Sequence, residues 1–334
     1  MPFDFDTSNC DACPAAQRCN EDLRLAPVRG RSTLFRLRQD AAVHCTFDSF
    51  MPGTDNDANP LRTYQEYLDS FMSNTLNAGM HLYGGAYRIE SAAKAKVNGD
   101  VFELLEAGAL WAAAAAWNQF MNIGTWSSTS FSMPPGAVAT PTRKVAIVKL
   151  PRGYDATLLF TPAVRNSILA HESALRLRGM ELGLSSPDIV GVRLPYPTPP
   201  EMDVFNTALT DLASSSLESL QRAYQVLEGK IDSNGFLFAI AVKTSTRSDR
   251  LYQPLFEANV LKYMVEHVLR GAAFRFYAHL NDMSGSAVAA RYNAASLISL
   301  IRGGNPTKAV DVVYHAEAPR TAAQSVLNDL PLFP

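Results

Sequence analysis

Phe236 to Lys243 reads FLFAIAVK, seven apolar residues closed by a lysine, and with Asp188 to Leu194 (DIVGVRL) it decides the fold. Near-continuous apolar runs of this length, rich in β-branched and aromatic residues, suit strands buried on both faces of a sheet. Lys144 to Leu150 (KVAIVKL) is a third strand by its β-branched content. Further strands are expected near Phe274 to His279 and Val310 to Tyr314. Between and around them the patterns are helical: Asp100 to about Met121, Ala163 to about Arg178, about Leu251 to Leu269, and Ala294 to Ile301. Strands alternating with helices predict an α/β domain, a central mixed sheet flanked by helices. Residues 1 to about 95 are expected to form an N-terminal arm and α-rich region packed on a core of residues 96–334. Met51 to Pro60 and Thr125 to Thr142 are rich in Pro, Gly, Asn and Ser and read as loops.

The chain has 334 residues, 47% hydrophobic and 19% charged, enough for a sizeable core. Its most apolar stretch, AGALWAAAAAW from Ala107 to Trp117, falls short of the roughly 20 residues a bilayer crossing needs and reads as a buried core helix. The N-terminus, MPFDFDTSN, is acidic and lacks the basic-then-apolar order of a secretory signal, so a cytoplasmic location is expected. Cys10, Cys13 and Cys19, with His44 or Cys45, could supply four zinc ligands, but the spacing after the first pair is irregular and free thiols are the simpler reading.

A net charge of −2 argues mildly against nucleic acid, yet phosphates are met by local fields rather than by totals. Arg24, Arg29, Arg31, Arg36 and Arg38 occupy one stretch with no acid among them; Lys94 with Lys96, and Lys243 with Arg247 and Arg250, form two more clusters. Each alone reads as a solvated face.

The chemistry collects around the two apolar strands. Pro187-Asp188 opens one and Lys243 closes the other. Hydrolysing a phosphodiester calls for a divalent cation held by carboxylates, a polarised water, and a cation to offset developing charge. An Asp at one strand end and a Lys at a neighbouring end can converge on one point, which is the logic of the PD-(D/E)xK nuclease core. The acid that usually stands two residues before the lysine is replaced here by Ala241. Glu257 offers a substitute: in the following helix it shares a face with Val260, Leu261 and Met264, an inward carboxylate on an apolar stripe. The plainer alternative is an ion pair with Lys243 or Arg247. Glu103 is a further candidate, although Asp100-Val-Phe-Glu103 also fits a capping box at a helix start. Between Lys243 and Glu257 lies Arg247-Ser248-Asp249-Arg250. Arginine forks suit guanine O6 and N7 and an aspartate accepts from cytosine N4, so this tetrad before a helix could read base edges; helix capping by Ser248 or Asp249 is the alternative.

These residues resemble the CCGG-family restriction endonucleases of the PD-(D/E)xK superfamily, and most closely the SgrAI-like type II enzymes. The similar segments are APVRGRST (Ala26 to Thr33), AKAKVNGDVFE (Ala93 to Glu103), PDIVGVRLP (Pro187 to Pro195) and RSDRLYQPLFEANV (Arg247 to Val260). The resemblance implies that Asp188 ligates Mg²⁺ with help from the Val242 carbonyl. It implies that Lys243 orients or activates the attacking water, and that Glu257 and Glu103 complete the acidic cluster. Arg247, Ser248, Asp249 and Arg250 would read a CCGG core, and Arg31 and Lys96 outer bases, giving an extended site resembling CRCCGGYG. It further implies double-stranded DNA as substrate, a homodimer or tetramer, and a companion DNA methyltransferase. A binding-only relative and a structure-specific repair nuclease on the same core remain as rivals. The chain has no G-x-G-x-x-G, phosphate loop or G-x-S-x-G elbow to suggest a metabolic enzyme.

Overall fold

The computed structural model describes residues 25–28, 31–35, 63–69, 72–73, 76, 91–183, 186–207, 209, 219–244, 248–271, 274–281, 283, 291–303 and 305–334. At its centre is one five-stranded mixed sheet in the order β3-β4-β5-β6-β7: Val145–Lys149, Ile189–Arg193, Phe236–Lys243, Arg275–Leu280 and Val312–His315. β3, β4 and β5 pair antiparallel, whereas β5, β6 and β7 pair parallel. All five strands lie where their apolar runs predict. The FLFAIAVK strand occupies the middle, and every residue of it except Lys243 is buried. Upstream, the N-terminal region contributes helical residues 64–69 and a ribbon that the sequence reading did not contain, β1 (Leu25–Val28) antiparallel to β2 (Arg31–Phe35).

One long helix, α1 (Ser91–Ile123), crosses the sheet. Its Ala-Trp stretch is buried, as expected of a core helix, and among the described residues no helix is long and apolar enough to cross a membrane. The indoles of Trp111 and Trp117 donate to the Thr207 and Arg143 carbonyls at 3.0 and 2.7 Å. Asn118, wholly buried, exchanges bonds of 2.7 and 2.8 Å with the backbone of Val145 and donates to Phe205 O at 2.9 Å. The helix begins at Ser91, nine residues before the Asp100 start read from the sequence. Asp100 and Glu103 are therefore interior positions, and the capping-box reading fails.

α2 (Pro162–Arg176) and α3 (Ser248–Lys262), the latter prolonged by a π-helical turn (Tyr263–Val268), join the other layers; Tyr263 Oη and His171 Nε2 meet at 2.8 Å between them. α4 (Leu297–Arg302) packs on α3, and α5 (Pro319–Asp329) lies along α1. Gly191 is fixed by packing. It pairs with Phe238, and a Cβ at Gly191 would stand 2.0 Å from the Phe238 ring.

The topology settles what shares an end. β5 and β6 run parallel, β4 runs against β5, and β3 against β4. The end of β5, the start of β4 and the end of β3 therefore coincide, bringing Lys243, Asp188 and Lys149 to one edge.

Candidate active site

Asp188 stands immediately before β4, beyond its last ladder pair, Ile189 with Ile240. Its Oδ2 accepts from Lys243 Nζ at 2.8 Å and from the Val242 backbone N–H at 2.7 Å. In a strand, a residue's N–H and C=O point to the same side. The Val242 carbonyl therefore also lies on the side facing Asp188, past the point where a β4 N–H could donate to it. Lys243 projects from the strand end into the same corner. The structure thus unites Asp188, Lys243 and Val242 as the sequence predicts.

Glu103 joins them from α1. Its Oε1 is 2.5 Å from Lys149 Nζ, the last residue of β3. Burial pushes the Glu103 carboxyl above the ordinary carboxylate range, the negative charge of Asp188 adds to the rise, and Lys149 opposes it. Two carboxylates thus repel one another, each clamped by a lysine from a strand end. All four side chains keep a modest opening to solvent, 11–22% exposed. Beside them, α1 passes close to the strand end: a Cβ on Gly99 would lie 3.9 Å from Thr244 Oγ1. A cavity of about 700 Å³ opens there, with Asn98, Thr244, Asn281 and His315 in its wall. Lys149 escaped the sequence reading, although a lysine ending an otherwise apolar strand was the available signal.

Glu257 is buried, 1% exposed, on the inward stripe with Leu261 and Met264 that its spacing predicts. Its Oε1 accepts from Gln253 Nε2 at 2.7 Å. Tyr292 stands close enough that burial, and then the Glu257 charge, push its hydroxyl pKa up. Glu257 is thus held in part by its own helix, with Tyr292 close by. Among the described residues, no three His, Cys, Asp or Glu are gathered closely enough to hold a metal ion.

Arg31 lies at the start of β2, Lys96 in the second turn of α1, and Ser248, Asp249 and Arg250 in the first turn of α3, their side chains being outside the described residues. Arg247, together with Cys10, Cys13, Cys19, His44 and Cys45, lies outside the described residues altogether.

A family model described as Cfr10I/Bse634I restriction endonuclease matches residues 53–328. The chain belongs to this family. It is a type II restriction endonuclease, a site-specific deoxyribonuclease acting on DNA, and the family's chemistry uses divalent metal ions. Among solved structures, the fold is similar to the type IIF restriction endonuclease Bse634I with cognate DNA, at a TM-score of 0.69 and 18% identity over 92% of this chain and 96% of that one. A second structure of Bse634I gives a TM-score of 0.68, again at 18% identity. No curated protein sequence matches the chain. The donor set at the sheet edge fits the family's need for a divalent ion. Asp188 and Glu103 crowd two carboxylates in a partly buried corner, the Glu103 pKa raised by burial and further by the Asp188 charge, and a doubly charged cation relieves such repulsion.

Proposed function

We propose that this enzyme hydrolyses both strands of duplex DNA at a palindrome with a CCGG core, in the manner of the SgrAI-like endonucleases, with Mg²⁺ as its ion. The single observation carrying the catalytic part is the clamp on Asp188 by Lys243 and the Val242 N–H, beside the Glu103–Lys149 pair. Asp188, the Val242 carbonyl and Glu103 would hold the ion, and Glu257, which is not gathered with them, would bear on it only through bound water. When bound, Mg²⁺ offsets negative charge on the phosphate under attack.

The remaining steps belong to the chain's own side chains. Lys243 Nζ, freed from Asp188, orients the attacking water and faces the charge that develops on the phosphoryl oxygens. Water adds in line to phosphorus and the bond to the 3′ oxygen breaks. The attacking water gives up a proton to solvent, the departing 3′ oxygen takes one from solvent, and the products are a 5′-phosphate and a 3′-hydroxyl. Arg247, Ser248, Asp249 and Arg250 read the core at the head of α3, where arginine forks take guanine and Asp249 takes cytosine. Arg31 and Lys96 bear on the outer bases, which gives a CRCCGGYG-like site. A two-fold palindrome calls for two-fold protein symmetry, hence a homodimer or a tetramer built from it, and a host methyltransferase to protect the same sequence.

Membership of a restriction endonuclease family speaks against the binding-only and repair-nuclease alternatives. Digestion of a random plasmid library with Mg²⁺, followed by sequencing of the ends, tests the reading. Ends that share a CCGG core support it; ends centred on another sequence, or on branched junctions only, overturn it. Arg250→Ala should weaken core readout by about 1–3 kcal/mol in a binding selection. Unchanged base preference there removes the tetrad as reader.

A further inference from the structure

Inside the core, one turn further along α1 than Glu103, lies a polar knot that the catalytic chemistry does not use. Glu106 accepts the Tyr64 hydroxyl on Oε2 and meets His279 Nδ1 of β6 at Oε1. All three side chains are completely buried. Tyr64 is fixed in turn: its N–H donates to Glu317 O at 2.9 Å and its ring meets Phe102 edge-on at 4.3 Å. Burying a carboxylate is costly, and an apolar group of similar volume commonly serves stability as well or better. The best-attested use of such a group is to fix register.

α1 needs such a device. The middle of its buried surface carries a run of alanine, Ala107, Ala109 and Ala112 to Ala115, set among the larger Leu104, Leu105, Leu110, Trp111 and Trp117. Methyl groups make shallow ridges that discriminate weakly between neighbouring alignments of a helix on a sheet. Polar anchors add what the alanines lack: the Trp111 and Trp117 indoles and Asn118 on backbone groups along one part of the helix, and Glu106 on His279 and Tyr64 nearer Glu103. Glu103 precedes Glu106 by three residues, so the two carboxylates share a face about one turn apart. A slip of one residue would move Glu103 by about 1.5 Å and turn it by about 100°, away from Lys149 and Asp188.

We propose that Glu106 is a positioning residue for the catalytic centre. By tying α1 to β6 through His279 and to the N-terminal segment through Tyr64, it holds Glu103 beside Asp188 and so sets the affinity for the divalent ion. This inference rests on the reading of Glu103 as an ion-binding carboxylate.

The test is Mn²⁺ binding to the full-length protein, followed by the electron paramagnetic resonance signal of free Mn²⁺, with thermal melting measured alongside. Glu103→Gln reports the ligand itself. Glu106→Gln, and a triple variant Tyr64→Phe, Glu106→Leu, His279→Leu that fills the knot with apolar groups, report the lock. The triple variant is expected to melt cooperatively near the unaltered protein's temperature, yet to bind Mn²⁺ about tenfold more weakly, as when groups that orient a metal ligand are removed. A triple variant that folds and keeps its full Mn²⁺ affinity, while Glu103→Gln loses it, overturns the lock and leaves the ligand assignment standing. Full affinity in Glu103→Gln removes the ligand assignment and the inference with it.

Discussion

Two Asp–Lys pairs in this molecule are built from the same bonds and stand at opposite ends of the sheet. Asp188 accepts from Lys243 Nζ at 2.8 Å and from the Val242 N–H at 2.7 Å, where β5 ends. Asp311 accepts from Lys262 Nζ at 2.8 Å and from the Phe276 N–H at 2.7 Å, where β6 begins. In donors and distances they match, although Lys262 reaches both oxygens of Asp311. Their settings differ: the Lys262 side chain is 3% exposed and also donates to Lys308 O at 2.7 Å, which completes a self-sufficient cluster. Lys243 is more open than Lys262, the two aspartates being about equally exposed, and Asp188 lies beside a second carboxylate, Glu103, whose pKa burial and Asp188 both raise. An aspartate clamped by a lysine and a strand amide is therefore a structural motif in one place and reactive equipment in the other. What separates them is a second acid beside the first, with a lysine more open to solvent, a feature of sites rather than of ion pairs.

Substitution of the two lysines should split the pairs most sharply. Lys243→Ala is expected to lower the rate of DNA cleavage by about 10³-fold or more, as loss of a group facing transition-state charge does, while DNA binding and melting temperature change little. Cleavage in Mg²⁺ that survives this substitution would remove Lys243 from the mechanism. Lys262→Ala should do the reverse. Leaving Asp311 without its ammonium costs about 3 kcal/mol in a denaturant titration, with cleavage per folded molecule preserved. Should Lys262→Ala abolish cleavage at unchanged stability, the two pairs would not differ in kind.

Between the two ends the sheet carries a third kind of constraint, purely steric. Gly191→Ala drives a methyl into the Phe238 ring, whose neighbours Tyr277 and Phe333 stand at 5.5 and 5.6 Å and leave it little room to withdraw. Overpacking of this sort should cost about 2 kcal/mol in denaturant unfolding, and Phe238→Leu in the same chain should recover part of it. Equal stability of Gly191→Ala and the unaltered protein would mean that the ladder yields locally.

The sheet was legible because its strands are buried on both faces: a run such as FLFAIAVK needs no partner to be read. Asp188 and Lys243 were legible because they punctuate such runs. Helix ends were less so. Asn98-Gly99-Asp100 resembles a helix start, yet α1 runs straight through it, since tertiary contacts along Ser91–Ile123 outweigh one glycine's propensity cost. α5 was missed, although Pro319 in its first turn and the buried Ala322, Ala323, Val326 and Leu327 carry a helical period. Lys149, Glu106 and His279 could not be paired from sequence, because their partners lie 46, 173 and 173 residues away and only the register of the sheet and α1 brings them together.

Lys149 supplies the smallest and most discriminating effect. Burial and the Asp188 charge push the Glu103 carboxyl up, and the Lys149 ammonium pulls it back. Lys149→Met deletes only the restoring charge, so the carboxyl moves further up and a smaller fraction is ionised at any given pH. If Glu103 must be ionised to help hold the ion, the acid limb of the cleavage rate profile moves to higher pH. The two profiles converge on the alkaline side, where Glu103 is ionised in both proteins. Near neutrality the loss is expected to be about tenfold or less, the scale that one exchanged charge interaction supports. An acid limb that stays in place, or moves to lower pH, would show that Lys149 merely neutralises Glu103 in the fold, as Lys262 does Asp311, and that cleavage depends on Asp188 and Lys243 without it.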